Sequence, residues 1–202
     1  MIQNSTLPVM EHFYTLQGEG SHSGRAAYFI RLAGCDVGCV WCDVKESWDI
    51  SPSQYMHIDA ILDAVAQTAT DFVVITGGEP TMHDLSALTA ALHEAGYELA
   101  IETAGVHPLK GQIDWYCFSP KKFKAPLPEI LPQAHELKVV IFHPSDFEWA
   151  EKYAEMVGPN CKLYLQPEWS KAKTVTPLIV DYVMANPKWE ISLQTHKFLN
   201  IP

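Results

Sequence analysis

The sequence predicts an α/β protein, with parallel strands joined by crossover helices and curled into a partial (β/α)6-type barrel. Two observations carry this. Strand-like and helix-like segments alternate along the chain, the pattern of parallel β with crossover helices. The strands run into polar or glycine-rich segments, "TGGEP", "ETAG", "SPK" and "LQPE", and ligands bind at the carboxyl ends of strands in such sheets. The units are too few for a closed barrel of eight, so about six strands are expected.

"AAYFIRL" is apolar enough to be the first strand of the alternation. "IDAILDAVAQTA" has helical spacing, with Ile58, Ile61, Leu62 and Val65 on one face,. "DFVVIT" is a short buried strand ending in "GGEP". "DLSALTAALHEAG" is a helix with an acidic start and a stop before Gly96,. "YELAIET", "DWYCFSP" and "HELKVVIF" follow as strands. "PSDFEWAEKYAEMV" is a helix, "CKLYLQP" a strand, and "TPLIVDYVMAN" a last helix. No repeat, low-complexity stretch or linker interrupts the 202 residues, so a single domain over 1–202 is expected,.

Composition excludes several classes. Apolar residues make up 48% of the chain, a globular proportion that can bury a core,. The formal charge is -10, and no cluster of Lys and Arg offers a basic stripe, so no nucleic-acid partner is expected,. The start, "MIQNSTLPVMEHFY", lacks the features of a signal peptide, and no run approaches the roughly 20 apolar residues of a membrane span,. A cytoplasmic protein with reduced thiols and no membrane partner is expected. Cys117 and Cys161 stand alone in strand-like runs and read as buried free cysteines,.

Chemistry concentrates in "AGCDVGCVWCDV", where Cys35, Cys39 and Cys42 fall within eight positions. A structural zinc site wants four ligands and a disulfide two, so three thiolates suit neither. A [4Fe-4S] cubane held by three thiolates keeps one iron free for a small molecule. Gly38 lets the loop turn closely, and Trp41 can shield a reduced cluster. A zinc loop completed by a histidine, or three incidental thiols, are the alternatives.

This Cys-x3-Cys-x2-Cys loop after a strand, with "TGGEP" after the next, resembles the radical S-adenosylmethionine (SAM) superfamily. The resemblance implies a radical SAM barrel and a [4Fe-4S] cluster whose open iron chelates SAM, with Gly78 and Glu79 meeting the methionine amine. A reduced cluster then cleaves SAM to a 5′-deoxyadenosyl radical. "FYTLQGEG", "FIRLAGC", "ETAG", "SPK", "LQPE" and "LQTHKFLNIP" are together similar to the 7-carboxy-7-deazaguanine synthase family, from near the first residue to the last. That family contracts 6-carboxy-5,6,7,8-tetrahydropterin to 7-carboxy-7-deazaguanine, with loss of ammonia and SAM reformed, on the route to queuosine.

The resemblance also implies roles. Arg31 offers a planar fork to the substrate carboxylate. Leu16, Gln17, Gly18 and Glu19 meet the pterin edge, with Thr76, Glu102 and His196 in the same cavity. Trp41, Cys42, Asp43, Ser119, Pro120, Lys121, Gln166, Pro167, Glu168 and Trp169 surround SAM. Arg31, Glu102 and His196 are the catalytic candidates. At Pro202 the free α-carboxylate is expected to reach the pterin. An electron donor such as flavodoxin or ferredoxin and a homodimer complete the expectation.

One residue departs from the family pattern. Two places after the third cysteine the family carries Thr or Ser, whose hydroxyl binds Mg2+. Here Val44 has no side-chain oxygen to offer a hard cation,. Water, a backbone carbonyl or substrate oxygens would have to hold it. A radical SAM activating enzyme, acting on a partner protein and consuming SAM, is the alternative function. A non-catalytic metal-binding module is the third.

Overall fold

The structure, a computed structural model, describes residues 5–202; the first four residues of the N-terminal stretch read above lie outside the described residues. Nine strands form one sheet: β1 (Thr6–Leu16), β2 (Ala26–Leu32), β3 (Tyr55–His57), β4 (Phe72–Gly77), β5 (Glu98–Thr103), β6 (Trp115–Phe118), β7 (Glu136–Ile141), β8 (Lys162–Pro167) and β9 (Trp189–Ile191). Their order is β3-β1-β2-β4-β5-β6-β7-β8-β9. From β2 onward every pairing is parallel, while β1 runs antiparallel to both its neighbours. The sheet stays open, with β3 and β9 as its edges, so the expected partial, mainly parallel α/β architecture is present.

The six strands legible in the sequence are β2 and β4 to β8. The other three were not read as strands, for physical reasons. β1, "TLPVMEHFYTL", mixes polar and apolar residues around a proline, and pairing on both sides makes it a strand,. β3 and β9 have three residues each, too short to show a period,.

The helices are α1 (Ile58–Ala66), α2 (Ser86–Glu94), α3 (Asp146–Ala154), α4 (Ala172–Ala185) and α5 (Thr195–Leu199). α4 starts a turn before the expected Thr176, with Pro177 inside it rather than at its first position,. Strands β5, β6 and β7 are joined without α-helices, by loops that approach the sheet's carboxyl end.

Period-2 alternation sorts the strand residues. One face carries Ile30, Leu32, Val73, Ile75, Leu99, Ile101, Phe118, Leu137, Val139 and Leu165, packed against Ile61 and Val65 of α1, Leu88 and Leu92 of α2, Ala150 of α3 and Ile179 of α4. The other face begins with a small apolar floor of Ala27, Phe29, Phe72, Val74 and Ala100. Further along the same face the residues turn polar. Arg31 pairs with Thr76, Glu102 with Cys117, Cys117 with Glu136, and Lys138 with Tyr164. Helices thus cover one face, and the other is left to line a cavity. Among the described residues no helix is long and apolar enough to cross a membrane. Cys117 is buried as expected, whereas Cys161 is only half-buried.

Candidate active site

A cavity of about 270 Å³ opens at the carboxyl ends of the strands. Cys35, Cys39 and Cys42 lie on its wall with Trp41, Asp43 and Val44. The cysteine loop leaves β2 through Gly34 (φ +99°) and turns at Gly38 (φ +74°). Nothing crowds Gly38, so backbone conformation alone calls for glycine there,. The thiols pack with Val37, Ala104 and Val106. Burial pushes the Cys35 thiol up and takes Cys39 to about 11. As free groups these two are thiols at neutral pH, and iron would take them as thiolates.

The donor set fits a [4Fe-4S] cluster. Among the described residues no three His, Cys, Asp or Glu side chains gather as a single metal ion requires; a cubane's thiolates each meet a different iron. Trp48, whose carbonyl accepts the Cys35 N–H at 3.2 Å, also lines the cavity. Its indole N–H is buried without a partner, a donor that a bound group would satisfy,.

"TGGEP" docks onto this loop. The Gly78 N–H donates to Leu32 O at 2.9 Å, and the Glu79 N–H to Gly34 O at 2.8 Å. A Cβ on Gly77 or Gly78 would collide with the backbone of Leu32 or Gly34, so glycine is what allows the close approach,. Glu79 is 1% exposed. Its Oε1 accepts from the Thr81 N–H (3.1 Å), the Thr81 hydroxyl (2.6 Å) and the Thr103 hydroxyl, and its Oε2 accepts from the Ala104 N–H (2.8 Å). The carboxylate therefore ties the ends of β4 and β5 together as well as facing the cavity.

Polar and charged groups line the same cavity. Arg31, with a side chain 21% exposed, donates its Nε–H to Glu11 at 2.6 Å. Its two terminal nitrogens remain for a carboxylate. Gln17 donates to Glu102 at 3.0 Å and accepts the Glu19 N–H at 3.0 Å. Lys138, on β7 and 3% exposed, donates to both Glu19 and Glu102, the latter at 2.9 Å. Burial raises the Glu19 carboxyl, but the Lys138 ammonium outweighs it and takes the group to about 2.

α5 closes one side. The Thr195 N–H and hydroxyl both donate to Gly18 O, at 2.9 and 3.0 Å. His196 lies so close to Gly18 that no Cβ would fit there. Burial holds the His196 imidazole below its ordinary value, so it is neutral at pH 7,. Lys197 pairs with Asp43 at 3.1 Å and lies 5.0 Å from the Trp169 ring centroid.

On the remaining wall, Lys121 donates to the Ser119 carbonyl (2.7 Å) and hydroxyl (2.6 Å). Gln166 accepts from Ser192 at 2.7 Å. The Glu168 carboxylate caps its own turn, taking the N–H groups of Ser170 and Lys171, while Pro167 lines the cavity beside it.

Leu16, Thr76 and Pro202 also line this cavity. Of the residues the resemblance places at SAM, the cluster or the substrate, Pro120 alone does not line it, standing between Ser119 and Lys121, which do. Sequence reasoning missed Lys138, Gln194, Trp48 and Ser47. Lys138 left a trace: Glu136 and Lys138, two apart in an otherwise apolar strand, mark a polar face,.

Direct ligation of Mg2+ at Val44 does not fit. The side chain has no oxygen, and the carbonyl already accepts the Ser47 hydroxyl (2.7 Å) and N–H (3.1 Å),.

Comparison with known proteins adds lineage to this geometry. The family model of the radical SAM superfamily matches residues 29–143. The 7-carboxy-7-deazaguanine synthase of Flavobacterium psychrophilum is 53% identical over 199 residues, covering 97% of this chain and 93% of its own. The enzyme of the same name from Synechocystis is 47% identical over 197 residues, covering 96% and 93%. The crystal structure of QueE from Escherichia coli superposes with a TM-score of 0.85 at 30% identity, covering 94% of both chains.

Proposed function

The chain belongs to the radical SAM superfamily and, within it, to the 7-carboxy-7-deazaguanine synthases, and on that premise we propose that it contracts 6-carboxy-5,6,7,8-tetrahydropterin to 7-carboxy-7-deazaguanine with loss of ammonia. The reaction is a lyase step on the route to queuosine. The observation that carries the reading is one cavity lined by three cysteines together with Arg31, Glu19, Glu102 and His196. Membership in the superfamily implies a [4Fe-4S] cluster and SAM.

When bound, the cluster and SAM would supply the radical chemistry with which the superfamily opens its reactions. The chain's own groups bind and orient. Cys35, Cys39 and Cys42 would hold the cluster. Gly78 and Glu79 offer acceptors to the methionine amine; Glu79 Oε2 takes one bond from within the chain and has a lone pair to spare,. Trp41, Asp43, Ser119, Lys121 and the segment from Gln166 to Trp169 line the SAM side. Arg31 receives the substrate carboxylate in its free fork, beside Thr76 on the adjacent strand,. Leu16, Gln17, Gly18, Glu19 and Glu102 meet the heterocycle's N–H edge, and neutral His196 supplies a hydrogen bond without adding charge. One radical SAM domain over 1–202, a homodimer, a cytoplasmic setting and a flavodoxin- or ferredoxin-type reductant belong to the same proposal.

Anaerobic incubation of the reconstituted protein with the carboxytetrahydropterin and a reductant should release 7-carboxy-7-deazaguanine and ammonia while SAM is regenerated. Stoichiometric loss of SAM with no deazaguanine would overturn the assignment in favour of an activating enzyme.

Mg2+ enters this proposal only through water and substrate oxygens, because Val44 supplies no ligand. Turnover should therefore respond weakly to Mg2+, and a Val44→Thr protein should show a steeper Mg2+ titration. Superimposable titrations of the two proteins would make this position irrelevant to metal binding.

A further inference from the structure

Three charges, one buried and two half-buried, meet where β5, β7 and the loop after β1 converge. Lys138 is 3% exposed, and its ammonium bridges Glu19 and Glu102, whose side chains are 14% and 22% exposed. The other oxygen of each carboxylate is also oriented: Gln194 donates to Glu19 at 2.9 Å, and Gln17 to Glu102 at 3.0 Å. Both glutamates and the lysine line the cavity. We propose that Lys138 is a positioning residue for the substrate, holding Glu19 and Glu102 side by side as paired acceptors for the N–H edge of the pterin. The inference deepens the deazaguanine synthase reading and rests on it.

The physical reason is charge. Two carboxylates sharing a site do not both ionise unless a cation lies between them; without one they share a proton. A carboxyl that keeps its proton becomes a donor, and facing an N–H edge it repels where it should accept. The ammonium of Lys138 removes that conflict.

The remaining charged neighbours do not supply the same service. Glu136 on β7 is spent on the Ser21 N–H (3.0 Å), the Trp115 indole (3.2 Å) and the Cys117 thiol of β6 (3.4 Å). Lys121, in the loop after β6, is spent on Ser119. From α5, His196 is held neutral by burial, and Lys197 is paired with Asp43 of the cysteine loop.

The test compares the reconstituted wild-type holoprotein with Lys138→Met and Lys138→Arg. It reads pterin affinity and the KM-against-kcat split from about pH 6 to about pH 8, with cluster absorbance and substrate-free SAM cleavage as controls. The wild type should bind with a flat pH profile. Lys138→Met should keep its cluster, bind about tenfold or more weakly, and lose further affinity as pH falls, because its glutamate pair now holds a proton. Lys138→Arg should restore the flat profile. Unchanged binding by Lys138→Met, or a uniform weakening with no new pH limb, would overturn the proposal and leave Lys138 a structural residue. If Lys138→Met does not fold, Lys138→Gln, equally uncharged, is read in its place with the same outcomes expected. A wild type that neither binds nor converts the pterin would sink the functional reading itself. A wild type that does both beside an unaffected Lys138→Met protein would sink this inference alone.

Discussion

A Cys39→Ala protein should emerge colourless from anaerobic reconstitution and should not cleave SAM. Cys39 is 8% exposed and packs with Val37, Ala104 and Val106 on the cavity wall. Alanine keeps that apolar packing but removes the sulfur, so the fold should survive while one iron loses its only protein ligand. Cys35→Ala and Cys42→Ala should behave alike, since both thiols face the same cavity. Cys117→Ala and Cys161→Ala should take up the cluster normally. The Cys117 thiol donates to Glu136, the Cys161 thiol to the Lys162 carbonyl, and neither lines the main cavity. Visible absorbance and methionine release measure both outcomes. Wild-type activity in the Cys39→Ala protein would refute the cluster assignment.

The second large effect is expected at Glu79, and it falls on stability as well as activity. A Glu79→Gln protein keeps the shape of the side chain but turns one acceptor into a donor. Both orientations fail. One sets the new NH2 against the Ala104 N–H, the other against the Thr81 N–H, since each now donates to a different oxygen. At 1% exposure no water relieves the conflict. Losing charge-assisted bonds of this kind costs about 1.5–3 kcal/mol each. A total near 3 kcal/mol would lower Tm by about 6–12 °C in a domain of this size. Thermal unfolding of the cluster-free protein measures this separately from catalysis. An unchanged Tm with weakened SAM binding would make Glu79 a ligand-binding group and nothing more.

Much of the site was legible because its local chemistry is stereotyped. Three cysteines at this spacing, a glycine where the loop turns at φ +74°, and "GGE" at a strand end each follow from backbone sterics or ligand count,. The parallel architecture was legible for a similar reason. Alternating apolar runs and helical stripes are one-dimensional signals of which surfaces must be buried.

Pairing was not legible. β1 became a strand only by lying between β2 and β3, and β9 only by adding to β8. Lys138 belongs with these. The alternation of "HELKVVIF" sorts Glu136, Lys138 and Val140 from Leu137, Val139 and Ile141, yet it does not say which set meets helices and which meets a cavity,. Nor does it say that the partners of Lys138 stand 119 and 36 positions away. By itself the sequence determined the three-cysteine loop and the strand-and-helix alternation, since these depend on residue type and short-range spacing. Only the tertiary structure decided which charges share a wall, because a buried ion's worth depends on the neighbours that register and crossover bring to it.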